Sequence, residues 1–149
     1  MKNFFFLALL IITTAFNIPS HHTSADITGR WMNAENNLEV EIFKTGNEFK
    51  AIVIWFDDSD DKSKPLDTRC DVKNPDKQLR TRKVIGMEVM KGLIYNQTND
   101  DWEDGRIYDA TTGRNWNADA WLMENGKLRV RGYWHFQLLG QNIFFKRVS

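Results

Sequence analysis

Apolar and acidic side chains alternate from Leu38 through Glu39, Val40 and Glu41 to Ile42, the mark of a strand with one buried and one wet face. Thr45-Gly46-Asn47-Glu48 reads as a turn, and residues 49–56 are then apolar on both sides. Phe49, Ala51, Val53 and Trp55 share one face, and Ile52, Ile54 and Phe56 share the other. Such a strand is either covered on its outer side or carries an exposed apolar patch. Gly29-Arg30-Trp31-Met32 opens a strand before it. Pairing resumes at residues 84–87 and runs, bent at Gly92, to Tyr95. Further strands are expected at residues 105–109, 115–123, 127–135 and 139–148. Thr111-Thr112-Gly113 and Glu124-Asn125-Gly126 are the hairpin signals that cut them. The pattern gives eight or nine strands with no long helical period and no internal repeat, which predicts an all-β, antiparallel up-and-down β-barrel.

Two features stay open at this level. With a two-residue turn at Asn125-Gly126, Met123 faces Leu128 and Trp121 faces Val130; with a longer loop, Leu122 joins Leu128 and Val130 instead. Periodicity does not decide whether Trp121 lines the interior. Residues 57–78 form a long polar loop, of the kind that is functional or disordered. Asn74-Pro75-Asp76 inside it starts a helical turn leading to Leu79 and Arg80.

The N-terminus has a different character. Lys2 precedes an almost wholly apolar run at residues 4–16, and Thr23-Ser24-Ala25 supplies small residues for cleavage, with Ala15 a second site. The run is shorter than the ~20 residues needed to span a bilayer. The expectation is a signal peptide over residues 1–25, removed, and a single domain over residues 26–149 with no transmembrane segment. The mature chain is then periplasmic or secreted. Charges balance at 20 Lys and Arg against 20 Asp and Glu, which argues against a nucleic-acid binder. Cys70 is the only cysteine, so no internal disulfide forms, and the thiol is either inert or free.

Two resemblances rest on particular residues. Gly29-x-Trp31 on the first strand with Arg147 on the last is similar to the lipocalin arrangement, which implies a barrel closed by an indole under a guanidinium. More closely, the chain resembles the bacterial domain-of-unknown-function 2147 family. The matching residues begin with Asn74-Pro75-Asp76, Leu79-Arg80-x-Arg82 and Ile85-Gly86. They continue with Trp102-x-x-Gly105-x-Ile107-Tyr108-Asp109, Gly113, Leu128-x-Val130-Arg131-Gly132-Tyr133, Gly140 and Phe145-Lys146-Arg147. Ala110, Trp116 and the Arg82-Lys83 step depart from its pattern, where Pro, Tyr and Arg-Pro are expected. This resemblance implies a lipocalin-like fold and export, and no particular chemistry.

Candidate chemistry is sparse. Asp57, Ser59 and Asp61 match the first ligands of a calcium loop, but Lys62 and Thr68 stand where Gly and Glu belong, so a solvated loop is favoured. Glu103, Asp104 and Asp109 offer carboxylates for acid–base work, although an Asp before Thr111-Thr112-Gly113 is first of all a turn residue. His135 is the only histidine beyond the leader, too few for a His-rich metal site. Arg80, Arg82, Arg129 and Arg131 suggest an anion-binding rim, against cross-strand pairing of Arg131 with Asp119 or Asp109. Trp31, Trp55, Tyr108, Trp116, Trp121, Tyr133 and Trp134 suggest a ligand cup, with a partly filled interior expected.

The expected function is therefore binding of a small apolar or amphipathic ligand in the barrel mouth, with Tyr108, Asp109, Trp116, Arg131 and Tyr133 as contact residues. Trp31 and Arg147 serve structure. No catalytic residue, metal or cofactor is assigned. The alternatives are an envelope interaction protein using the face around Ile52, Ile54 and Phe56, and a hydrolase-like enzyme using Asp109 and Glu103.

Overall fold

Eight strands form a single closed antiparallel barrel in the computed structural model, which describes residues 22–148. They are β1 (Gly29–Asn33), β2 (Leu38–Thr45), β3 (Glu48–Phe56), β4 (Glu88–Asn96), β5 (Asp101–Asp109), β6 (Arg114–Leu122), β7 (Leu128–Tyr133) and β8 (Gln141–Arg147). Each pairs with its sequence neighbour, and β8 pairs back to β1 through Trp31 opposite Arg147. Closure leaves no free sheet edge. The apolar run at residues 4–16 lies outside the described residues. Among those described, no helix is long and apolar enough to cross a membrane.

Several boundaries differ from the sequence reading. β4 begins at Glu88, because residues 84–87 turn back on β3: the Gly86 amide donates to the Val53 carbonyl, and the Val53 amide donates to the Met87 carbonyl. β5 begins at Asp101 and is four residues longer than the Gly105 start suggests, with its register shifted between Trp102 and Gly105. β7 ends at Tyr133, and residues 134–140 form a loop around a 3-10 turn, Gln137–Leu139. On β3 the pairing jumps from Glu39 opposite Trp55 to Val40 opposite Val53. The extra residue, Ile54, is a bulge that reverses the alternation. Phe56 consequently faces inward and Trp55 faces out.

The floor of the barrel is a stack of large rings. Trp31 and Trp102 are fully buried, Phe49 meets Trp102 edge-on at 6.4 Å, and Tyr95 lies 5.0 Å from the same indole. The Trp31 indole donates to the Ile27 carbonyl at 2.8 Å. The Arg147 guanidinium lies 4.3 Å from the centre of its ring and donates to the carbonyls of Thr28 and Asp26. Cation–π contact and carbonyl bonds together fix the planar group in place.

Residues 22–25, which the sequence reading put in the leader, pack on this floor. The Trp102 indole donates to the Ser24 carbonyl at 3.1 Å, and the Tyr95 hydroxyl donates to the His22 carbonyl at 2.6 Å.

Candidate functional site

An up-and-down barrel sends alternate connections to opposite ends. The loops after β1, β3, β5 and β7 therefore share the end away from the Trp31 floor. Inward side chains in this half are small or slender, among them Val40, Ala51, Val53 and Val130. Side chains of this size leave space, where the rings of the other half fill it. The result is an open cavity of about 630 Å³. Its wall is chiefly aliphatic, with Ile42, Met87, Met90, Ile107, Leu128 and Phe145 among the contacts. The mouth is polar, with Asn37, Asp57, Ser59, Asp60, Asp109 and Thr111 around it.

The long connection between β3 and β4 is folded, and it contributes to the mouth. Arg69 organises its first part, donating to Asp60 at 2.8 Å and to the carbonyls of Asp58, Asp61 and Lys64. Asp71 anchors the second part. Its buried carboxylate accepts from Asn74 Nδ2 at 2.7 Å, Arg82 Nη2 at 2.8 Å and the Tyr108 hydroxyl at 2.7 Å. Burial alone pushes the Asp71 carboxyl up, but these donors outweigh it and hold it below the ordinary 3.8. The same contact, after burial, pushes the Tyr108 phenol up to about 12. Asp76 caps the 3-10 turn Lys77–Leu79 by accepting from the Gln78 amide, so Asn74-Pro75-Asp76 does open a helical turn. Polar composition suggests solvated chain, yet one buried carboxylate with three donors fastens the loop across the barrel end.

The predicted contact residues separate. Tyr108 and Asp109 line the cavity; Trp116, Arg131 and Tyr133 do not. Trp116 stands opposite the lining residue Ile107, but it packs edge-on against Trp134 at 5.9 Å and does not join the lining. Arg131 clamps the β7–β8 loop, donating to the carbonyls of Gln137 and Leu138 and to Asn142 Oδ1. Asp119 stands opposite Arg131 but takes its bond from Gln137 Nε2 at 2.7 Å, and the Tyr133 hydroxyl also bonds this carboxylate. Outward side chains of β6 and β7 thus build a shelf for a loop that is longer at both ends than residues 136–138, the gap the sequence reading left between strands.

The other expected clusters also disperse. Arg80 donates to the Asn74 carbonyl, Arg82 is held by Asp71, and Arg129 lies 4.2 Å over the Trp121 ring. With Arg131 occupied as above, no anion-binding rim forms from these four. Asp109 binds its own turn, accepting from the Thr111 amide and both the Thr111 and Thr112 hydroxyls. Burial raises its carboxyl, and these donors overcome that and hold it below 3.8. Glu103 lies six residues away along the same strand, roughly 20 Å at about 3.3 Å per residue. Two carboxylates that far apart cannot act on one bond. Asp57 and Asp61 cap local turns, accepting from the amides of Ser59 and Ser63. Among the described residues no cluster of His, Cys, Asp or Glu is placed to hold a metal ion.

Sequence reasoning missed the aliphatic wall and the folded loop. The signal for the wall was present in the small inward residues Ala51 and Val53; the Asp71 network had none, since its partners are separated by up to 37 residues.

Comparison with known proteins agrees with this geometry. No curated protein matches the chain. Among solved structures it is similar to protein HP1028 from the human pathogen Helicobacter pylori, which belongs to the lipocalin family. The two share 22% identity over 83% of each chain, with a TM-score of 0.69, a likeness of fold. Residues 29–147 match a family described as "Uncharacterized protein conserved in bacteria (DUF2147)", and the chain belongs to that family.

Proposed function

We propose that the protein is an exported binding module that holds a small apolar or amphipathic molecule in the barrel mouth. The observation that carries this reading is the open cavity of about 630 Å³ with an aliphatic wall and a polar rim. Its volume falls within the roughly 300–1,000 Å³ of ligand pockets, whose apolar walls supply affinity and whose few polar groups supply orientation. Tyr108 and Asp109 are the rim residues on β5, and the loop between β3 and β4 supplies the opposite side. Export to the periplasm or exterior is supported by the apolar N-terminal run at residues 4–16.

Ala110 sits at the mouth, so Ala110→Trp should block entry while leaving the core untouched. Native mass spectrometry of protein purified from its own envelope fraction is the test. A reproducible extra mass on the wild type that is absent from Ala110→Trp supports binding in the mouth. A bare chain mass, together with no uptake of apolar fluorescent probes, refutes it.

A second reading, an interaction protein, draws on a different surface from the one expected. Phe56 points into the cavity, and Ile52 and Ile54 are half-buried. Among the described residues, the β7–β8 loop gathers four exposed apolar side chains, Trp134, Phe136, Leu138 and Leu139, with Leu138 88% exposed. Arg131 and Asn117 hold this loop in place, so little order remains to be paid on docking. Sedimentation velocity over a wide concentration range tests self-association, and a single monomer species at all concentrations counts against a second copy as the partner.

A further inference from the structure

The charged side chains that line the cavity are unequal in sign and in availability. They are Asp57, Asp60 and Asp109 against a single cation, Arg69. Arg69 is already committed. Its Nε donates to the Lys64 carbonyl at 2.5 Å, and its Nη2 donates to Asp60 and to the carbonyls of Asp58 and Asp61. Its charge is matched by Asp60, whose carboxyl its hydrogen bond lowers below 3.8. Asp109 stays ionised in neutral solution because the threonine donors overcome its burial. Among the described residues, Asp57 accepts from the Ser59 amide and is paired with no cation. Among the described residues, two carboxylates therefore face the rim without a neutralising cation, and the lining holds no histidine or lysine.

A ligand seated in the aliphatic wall must leave its polar end at this rim. A carboxylate or phosphate there would lose water, find no free guanidinium or ammonium, and meet two like charges. An amine would meet the opposite field, and a hydroxyl would be nearly indifferent to it.

We propose that the cavity selects apolar molecules whose polar end is cationic, accepts uncharged ones less tightly, and discriminates against single-chain carboxylates. This rests on the reading of the cavity as a binding site. Each unneutralised carboxylate near the rim attracts a cation and repels an anion. The expected separation between amine and carboxylate is therefore about tenfold or more.

The test uses the chain from residue 22 onward and a neutral apolar fluorophore, N-phenyl-1-naphthylamine. Dodecylamine, dodecanol and dodecanoate are compared as displacers at pH 7.5, the two ionic ones below their micelle concentrations and the alcohol below its solubility, with thermal shift as a second readout. The expected order is amine, then alcohol, then carboxylate, with the amine at least tenfold ahead of dodecanoate. The gap should narrow severalfold in Asp57→Asn, whose amide still accepts from the Ser59 amide, and in high salt, which screens a rim this exposed. If the fluorophore binds and dodecanoate displaces it as well as dodecylamine does, the charge selection is wrong and the binding site stands. If neither fluorophore nor any displacer binds or shifts the melting temperature, the binding site itself is wrong and the selection falls with it.

Discussion

The Tyr108 hydroxyl donates a 2.7 Å hydrogen bond to the buried carboxylate of Asp71, joining the wall of the barrel to the long loop that crosses its mouth. Arg82 donates to the same carboxylate from within the loop, and its guanidinium carbon lies 5.7 Å from the centre of the Tyr108 ring. One acid thus closes a triangle between β5 and two points of the loop. Removing its charge strands Arg82 and weakens both other bonds. Asp71→Asn should cost about 2–4 kcal/mol. The native carboxyl is held below its ordinary value, so its contribution is present above about pH 4 and is lost as pH falls through the native value. Urea melts at pH 7 and pH 3.5 check this: wild type and variant should differ most at the first, with a smaller gap at the second.

Gly113 reports on the same loop from its other side. It adopts φ +73°, and a Cβ there would stand 2.1 Å from the Lys73 carbonyl oxygen. The β5–β6 turn therefore packs backbone to backbone on the loop. Gly113→Ala combines left-handed strain with that clash and should cost about 2 kcal/mol or more. Limited proteolysis should reveal new cuts within residues 57–87 in the variant. An unchanged digest would show that the turn and loop are not coupled.

Asp101 is 7% exposed, and it is pushed up to about 6, first by burial, then by the neighbouring Glu103 and Asp119. Glu103 moves the other way because Asn96 and Asn99 donate to it. The folded chain therefore binds the Asp101 proton more tightly than the unfolded chain does. Its contribution is fully present below about pH 4 and is lost as pH rises through about 6. Asp101→Asn should accordingly stabilise the protein by about 1–3 kcal/mol at pH 7.5 and by little at pH 4. Calorimetry at the two values decides it, and destabilisation at pH 7.5 contradicts the raised carboxyl.

The barrel floor predicts where the folded chain begins. Trp102 is fully buried, and its indole N–H finds the Ser24 carbonyl. A chain starting at Asp26 loses that acceptor, together with the His22 carbonyl that the Tyr95 hydroxyl uses. Truncation from residue 22 to residue 26 should lower stability by about 1–3 kcal/mol for the orphaned indole alone. Thermal melts of the two chains test it. On the proposed export, N-terminal sequencing of the mature protein should then find a start upstream of Thr23.

The β6–β7 hairpin shows where sequence reading stops. Alternation identifies both strands, and Asn125-Gly126 marks the turn between them. Register is another matter, because the two-residue and longer loops each bury a consistent set of side chains. The observed loop spans residues 123–127, with Leu122 opposite Leu128 and Ala120 opposite Val130. Trp121 is thereby on the outer face, under Arg129. Two of the five predicted contact residues line the cavity, both on β5, where a strand end next to a turn signal locates the mouth. Trp116, Arg131 and Tyr133 carry suggestive chemistry but occupy faces that only pairing with neighbouring strands could assign.

By itself, the sequence determined the all-β class, the up-and-down order and the positions of most strands. Period-two alternation and turn chemistry are local properties, readable within a few residues. The tertiary structure decided everything that depends on distant partners. It set the face of each strand, the Ile54 bulge that turns Phe56 inward, the cavity left by small side chains above a floor of rings, and the folding of the long loop. That loop is fixed by Asp71 meeting Tyr108 across 37 residues of chain. Such a contact repays its closure entropy only once the barrel exists to present it.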